Sequence, residues 1–280
     1  MELIGISTIL ADAKSGHYAV GAFNFCNAET AQAIVGIACE LRSPVILLIG
    51  PCEIPLLGAK TLGRIARLVA EEADVPVCLH LDHADDIPLV RECIDAGFPS
   101  VMIDASARGF DDNIGITRQV VEMARDRGVT VEGELGAVGS VGRETPEGAS
   151  GASLTDPSRA AEFAERTGVD ALAVAIGNAH GIYTRRPELD FDRLSAIAAA
   201  TNVPLVLHGG SGTPPDQLAR AIEIGITKVN VASEISRAFL AAVCAPDRPA
   251  WYAHALVNAK EAAAEVTKQW MRQLGSANRA

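Results

Sequence analysis

With 280 residues, 49% apolar but only 4% aromatic, the chain can fill a core that must be built of Ala, Val, Ile and Leu, as strands buried on both faces require. A formal net charge of -11 excludes partners that present runs of phosphate, whether nucleic acid or an acidic membrane surface, while leaving room for a local site for one phosphate. No apolar run reaches the roughly 18 residues of a membrane helix, and no basic-then-apolar leader is read at Met1. The six cysteines are scattered without a CxxC pair, so reduced thiols and a cytoplasmic location are expected.

Taken in chain order, short Val, Ile and Leu-rich strands alternate with Ala-rich stretches of helical period. The first strand, 18–24, ends at Asn24, and a helix follows over 28–41. Strand 44–49 leads to helix 61–73. Strand 76–82 brings His80, Asp82 and then His83 to its end, before helix 86–96. Strand 100–104 ends at Asp104, and helix 111–127 follows. Strand 129–135 carries Glu132 and Glu134 and opens into a Gly and Ser-rich loop, 136–156, long enough to be functional or mobile. Helix 157–167, strand 170–176 and the segment GNAHG with His180 come next. Helix 191–200 precedes strand 204–208, which ends at His208 and continues GGSG. Helix 215–224 precedes strand 227–231, with Asn230, and helix 233–243 starts at Ser233. A last helix, 252–273, has no strand after it and is expected to cap the barrel or meet another subunit. Eight βα units without a linker predict an α/β fold, a (β/α)8 TIM barrel in a single domain over 1–280 with an extra C-terminal helix.

Barrel chemistry belongs to the C-terminal strand ends, and the polar residues collect there. Three of the six histidines, His83, His180 and His208, end strands three, six and seven. Three neutral imidazoles with an open position make a catalytic zinc arrangement. The plainer alternative is a rim histidine with one hydrogen bond, repeated three times. By the period of two, His80 points into the barrel below the rim as a packing or supporting residue. The run HGGSG, with Gly209, Gly210 and Ser211, reads as a phosphate cradle of main-chain N–H groups. Asn230, Val231, Ala232 and Ser233, where the last strand meets its helix, supply a second half of the grip. Ser233 reads equally as a plain N-cap.

Together these segments resemble the class II, metal-dependent ketose-bisphosphate aldolases, whose tagatose- and fructose-bisphosphate members are the best known. The likeness rests on GAFN (21–24), HLDHADD (80–86), AGFPSVMIDAS (96–106), VEGELG (131–136), DALAVAIGNAHGIY (170–183), PLVLHGGSG (204–212) and KVNVASE (228–234), spread over most of the chain. It implies that His83, His180 and His208 bind one catalytic Zn2+, and that Asp104 and Glu134 hold a displaced or second divalent ion. It implies that Asp82 handles the proton on the C4 oxygen and that Asn24 orients the sugar. Gly181, Gly209, Gly210, Ser211 and Asn230 to Ser233 would hold dihydroxyacetone phosphate, with Gly181 also near a Na+ or K+ ion. A phosphorylated sugar as substrate and a homodimer or homotetramer are implied as well. The chemistry agrees, because a metal acting as Lewis acid stabilises the enediolate left when C3 and C4 separate, and a carboxylate beside it moves the hydroxyl proton.

Two segments depart from that family. Its loop glutamate, which exchanges the proton at the enediolate carbon, has Glu144 as nearest candidate here and Glu147 as the next. After strand two the family offers Ser or Thr, whereas this chain reads LLIGPCEIPLLG with Gly50, Cys52 and Glu53. The aldehyde half is therefore open: glyceraldehyde 3-phosphate, or a sulfonated, dephosphorylated or carboxylated relative, with Arg143, Arg185 and Arg186 as candidates for a second anion. A Schiff-base aldolase would need a lysine at a strand mouth, and Lys228 is expected at the start of its strand. A metal hydrolase would place paired histidines on strand one, and a structural barrel would leave gaps in the His and Asp set.

Overall fold

The chain opens with a helix that the sequence reading leaves out. In α1 (Ile6–Gly16), Ile6, Ile9, Leu10 and Ala13 recur at helical spacing, and all four are buried. His17 stops the helix in a left-handed conformation, φ 51°. The apolar face joins Val20, Ala22, Ile46, Leu48, Cys78, Ala171, Ala173 and Val206 in one cluster. Main-chain bonds from Ile4 to Val77 and from Ile6 to the Thr130 hydroxyl tie this segment to strand starts. Helix α1 is thus the plug at the N-terminal mouth of a barrel.

The computed structural model describes residues 1–140, 144–145, 148–149 and 153–280. Among them, β1 (Val20–Asn24), β2 (Val45–Ile49), β3 (Val77–Ala84), β4 (Ser100–Ile103), β5 (Thr130–Leu135), β6 (Ala171–Val174), β7 (Leu205–Leu207) and β8 (Ile226–Val231) pair in parallel, each with its neighbours in sequence. β8 closes on β1, with Val20 opposite Lys228 and Ala22 opposite Asn230. The outer helices are α2 (Ala28–Leu41), α3 (Ala59–Glu71), α4 (Ile87–Asp95), α5 (Phe110–Arg125), α6 (Pro157–Thr167), α7 (Phe191–Ala200), α8 (Pro215–Ile224) and α9 (Ser233–Val243). These bounds lie within two residues of those expected from the sequence. Local chemistry explains the sharpness. Asn27 and Thr30 form a reciprocal capping box on α2. Pro157 after the cap Asp156 starts α6, and Gly168 at φ 72° ends it.

The last helix, α10 (Tyr252–Gln273), does not cap the barrel. It lies outside, on α2 and α9, and buries Ala255, Ala259, Ala263, Thr267, Trp270 and Met271. Described residues of the loop after β5 carry short pairings that the sequence reading does not anticipate. Gly139–Ser140 pairs with Ala179–His180, Glu144–Thr145 pairs with Gly148–Ala149, and Ala137 bridges Ser153.

Outward strand residues pack with the helices into one large apolar cluster. The inside of the barrel is different: above the apolar floor it turns polar. His80, Glu132 and Lys228 are fully buried there. Lys228 does not begin its strand. It sits in the middle of β8, points inward, and its Nζ lies 2.8 Å from Glu132 Oε2. Removing one partner of a buried pair strands the other charge at a cost of about 3–5 kcal/mol. Lys228→Met should therefore lower the thermal midpoint by roughly 5–9 °C. An unchanged melting curve would show that the pair contributes nothing.

His80 Nδ1 meets the Ser100 hydroxyl at 2.7 Å, and its Nε2 lies 3.6 Å from Glu132. It supports the interior as expected. Burial first, and then the Lys228 charge, hold this imidazole down at about 3. The folded-state value lies below the unfolded one, so stability is intact above pH 6.5 and is lost as pH falls from there toward 3. Between pH 6.5 and 5.5, where the unfolded imidazole goes from half to nearly full protonation, the group removes about 1 kcal/mol. Denaturant titrations of metal-free protein at these two pH values should show a pH-dependent loss smaller by about that amount in His80→Gln than in the unchanged protein.

Candidate metal and phosphate site

Polar side chains from five strands converge at the C-terminal mouth. His83 is the next-to-last residue of β3, where the pairing with β4 slips between Leu81 and Ala84. It holds φ 49°, a left-handed conformation that a non-glycine residue adopts at a cost of about 1 kcal/mol or more. The slip turns its ring toward the axis. His180 is presented by the short strand Ala179–His180, and His208 directly follows β7. The ring centroid of His83 lies 4.6 Å from that of His180 and 4.4 Å from that of His208. One ring nitrogen from each of the three falls within 4.8 Å of the others.

Acids surround this trio. His83 Nδ1 lies 3.3 Å from Asp104 Oδ2, and His83 Nε2 lies 3.9 Å from Asp82 Oδ2. His208 Nε2 meets Glu132 Oε1 at 2.9 Å, and its Nδ1 faces Glu134 Oε2 at 3.1 Å. That last pair is close but misaligned, so both atoms, like His83 Nε2, are buried without a hydrogen-bond partner. Buried polar atoms are rarely left unpaired, and these three belong to two overlapping groups of ligand spacing that share His83, which fits a cation among them. The donor set fits too, because imidazole nitrogens and carboxylate oxygens are the ligands of zinc and its neighbours.

The charges agree with this reading. Burial pulls His208 down, but the hydrogen bond to Glu132 and the close Glu134 carboxylate win and push it up to about 10. Burial pulls His83 down and Asp82 pushes it up, with a net rise. Burial, then His83 and His208, lower His180 to about 3. Burial raises Asp104, yet contacts to His83 and Ser106 hold it well below the usual carboxylate range. Burial likewise raises Asp82, but the His83 charge holds it ionised. A pocket that stabilises positive charge on buried histidines without a cation has carboxylates to spare for one. Two further groups have ligand spacing. His83, Asp104 and Glu134 share a histidine with the first, whereas His80, Asp82 and Glu132 lie deeper, where Lys228 already neutralises Glu132.

Beside the trio lies the glycine turn. Gly209 has φ 64°, and a Cβ there would come within 2.1 Å of the Ala179 carbonyl oxygen. At Gly210 a Cβ would meet Val229 at 2.5 Å. Only glycine lets the loop approach this closely. Gly181, at φ 102°, turns the chain after His180. The Ser211 hydroxyl lies 3.4 Å from the Glu234 N–H, which joins the glycine turn to the start of α9. Ser233 is the first residue of that helix, not its cap. The cap position is Ala232, whose side chain has nothing to accept with, so no cap takes the first-turn N–H groups, of which Glu234 alone reaches a side chain, the Ser211 hydroxyl. The Val231 side chain is buried in the outer core, so only its main chain can serve the site. Asn230 Nδ2 donates to Asp82 Oδ1 at 2.9 Å, and Asn24 at the end of β1 reaches Glu53 Oε1 at 3.4 Å.

Sequence reasoning missed three residues. Asn178 accepts from Ile176 N–H and donates to the His208 carbonyl at 3.0 Å, which sets the main chain at that histidine. The Tyr183 hydroxyl accepts from Ala179 N–H and donates to the Gly209 carbonyl. Glu234 accepts the Gly212 N–H at 2.6 Å and the Trp270 indole N–H at 2.7 Å, tying the cradle to α10. Glu234→Gln keeps one acceptor for these two donors. It should raise KM for a phosphorylated substrate roughly tenfold with a smaller change in kcat. An unchanged KM would remove Glu234 from the cradle's support. Asn178 lay inside the GNAHG run, but nothing in a lone sequence marks these contacts.

The remaining candidates do not join the site. Arg186 is exposed and paired with Asp216 at 2.5 Å, and Arg185 is exposed. Arg143 and Glu147 lie outside the described residues, and of Glu144 only the main chain is described. No described helix is long and apolar enough to cross a membrane.

A family model for class II fructose-bisphosphate aldolase matches residues 5–279. The YdjI aldolase of Escherichia coli K12 is similar at 34% identity and TM-score 0.87, over 99% of each chain. A Coccidioides immitis protein assigned provisionally as a fructose-1,6-bisphosphate aldolase matches at 29% identity and TM-score 0.89, over 97% of this chain and 96% of its own. The fructose-bisphosphate aldolase of Campylobacter jejuni, at 23% identity, shares the fold with TM-score 0.85 over 100% of this chain and 97% of its own.

Proposed function

This chain belongs to the class II fructose-bisphosphate aldolase family, and from that membership we propose that it reversibly cleaves a ketose phosphate to dihydroxyacetone phosphate and an aldehyde, with zinc held by His83, His180 and His208. The observation that carries this is the set of buried, unpartnered His83 Nε2, His208 Nδ1 and Glu134 Oε2 beside the glycine cradle. When bound, the divalent ion supplies the Lewis acid that draws charge from the ketose oxygens. Asp104 and Glu134 offer an alternative position for it through His83, and the Gly181 turn is our candidate for Na+ or K+.

The protein's own groups do the rest. Main-chain N–H groups of Gly209 and the start of α9, with the Ser211 and Ser233 hydroxyls, hold the phosphate and fix the carbon chain, whereas the Gly210 N–H, expected in the grip from the sequence, is already given to the Asn230 carbonyl at 2.9 Å and braces the turn instead. Asp82, kept ionised and aimed by Asn230, takes the proton from the C4 hydroxyl. The C3–C4 bond then breaks, C4 leaves as the aldehyde, and the electron pair stays with the three-carbon phosphate. A loop acid returns a proton to C3, and Glu144 is our candidate. Exposed Leu240, Trp251, Tyr252 and Val257 give α9, α10 and their connection an apolar face suited to a second copy of the chain, and we propose a homodimer or homotetramer. The six free cysteines fit a reducing, cytoplasmic setting.

The test is release of dihydroxyacetone phosphate from ketose phosphates, with tagatose and fructose 1,6-bisphosphates and their 1-phosphates as the first set. Release that EDTA stops and zinc restores supports the reading. Release that survives EDTA but stops with borohydride would instead assign the chemistry to a lysine.

A further inference from the structure

Beyond the metal trio, the mouth continues over the ends of β1 and β2 into a cavity of about 880 Å3. Asn24 and Glu53 line its inner end, Ala232 and Ser233 its cradle side, and Phe239 and Leu240 its outer wall. The cavity shares Asn24 and the cradle residues Ala232 and Ser233 with the site above, so a substrate held on the cradle can extend its aldehyde half into it. Among the described residues, the charged group at the cavity's inner end, Glu53, has the wrong sign for a second phosphate. Glu53 is held at the inner end by Gly50 N–H, which donates to Oε2 at 2.8 Å, and by the weaker contact to Asn24. Gly50 lies near the Asp82 main-chain carbonyl, and the Asp82 charge acts on Glu53 from outside the cavity lining. Burial raises the Glu53 carboxyl and the Asp82 charge raises it further, while the Gly50 and Asn24 hydrogen bonds favour the ionised form. The cation among the described lining residues is Arg237, exposed on α9 one turn beyond Ser233, where water screens it.

Resting on the aldolase reading above, we infer that Glu53 sets the aldehyde specificity: it accepts hydroxyl groups of an uncharged, polyhydroxylated aldehyde and repels an anionic one, so the preferred substrate is a ketose 1-phosphate. A carboxylate has lone pairs to spare for sugar hydroxyls, two of them already oriented here by Gly50 and Asn24. An anion brought within about 4–6 Å of Glu53 and Asp82 is opposed by both. The apolar outer wall takes the carbon face of such a chain.

The experiment has two parts. The first uses dihydroxyacetone phosphate alone in D2O with zinc-loaded protein and reads deuterium entry at C3. Exchange needs no aldehyde, so it tests the underlying reading by itself, and its absence in zinc-loaded protein would overturn that reading and this inference together. The second compares condensation of dihydroxyacetone phosphate with glyceraldehyde, with erythrose, and with glyceraldehyde 3-phosphate. The expected result is a kcat/KM at least about tenfold higher for an uncharged aldehyde than for the phosphorylated one. Glu53→Ser should move that ratio toward the phosphorylated aldehyde by about tenfold. Exchange accompanied by equal or better use of glyceraldehyde 3-phosphate, by no condensation with any of the three, or by an unmoved ratio in Glu53→Ser, overturns the inference and leaves the aldolase reading standing.

Discussion

His180→Ala is expected to lose turnover by more than about 1000-fold and to lose stoichiometric zinc, with the melting curve of the metal-free protein almost unchanged. The asymmetry follows from where the residue sits. His180 belongs to a two-residue strand at the mouth and is only partly buried, so truncation opens a space to water instead of a void in the core. Burial and the two neighbouring histidines lower it to about 3, so at neutral pH its ring is unprotonated and its lone pair is ready for a metal. Cleavage assays, metal analysis and thermal melts on the same preparation check all three parts. Full zinc content in the mutant would remove His180 from the ligand set. His83→Ala should give the same loss of metal and turnover. Its fold should also hold, because alanine in place of His83 removes no apolar packing.

Asp82→Asn is expected to lower kcat by about 10^2 to 10^4 while zinc content stays at the wild-type level. The amide has nearly the shape of the carboxylate and can still accept from Asn230, which now holds Asp82 Oδ1 at 2.9 Å. What it loses is the ability to take a proton. The loss should therefore appear in kcat more than in KM, since the C4 hydroxyl proton moves only on the way to the transition state. Single-turnover cleavage with zinc measured alongside is the check. Wild-type kcat in this mutant would transfer the proton to another group, and loss of zinc would recast Asp82 as support for His83.

Much of this site was legible in the sequence because its parts follow local rules. A parallel strand buried on both faces is a short run of Val, Ile and Leu, so a polar residue at its end stands out, as His83, Asp104 and His208 do. Gly209 is demanded by its own main chain, and the HGGSG run shows that without any tertiary knowledge. The helix α1 was less visible, although its Ile6, Ile9, Leu10, Ala13 spacing is the same signal, because a barrel plug lies outside the repeating βα unit. Lys228 was misplaced on its strand, since the start of β8 differs by one residue from the expected bound and the side chain's partner, Glu132, is 96 residues away. Ser233 looked like a cap by type, but the residue that holds the cap position is Ala232. Long-range partners such as Glu234 with Gly212 and Trp270 are set by how β7, α9 and α10 meet, and no spacing rule carries that information.

The most direct test of the account is anomalous diffraction at the zinc edge from crystals grown with zinc. The account predicts one strong peak at about 2.0–2.2 Å from one nitrogen each of His83, His180 and His208. A peak among His80, Asp82 and Glu132 instead, or no peak at the mouth of the barrel, would contradict it.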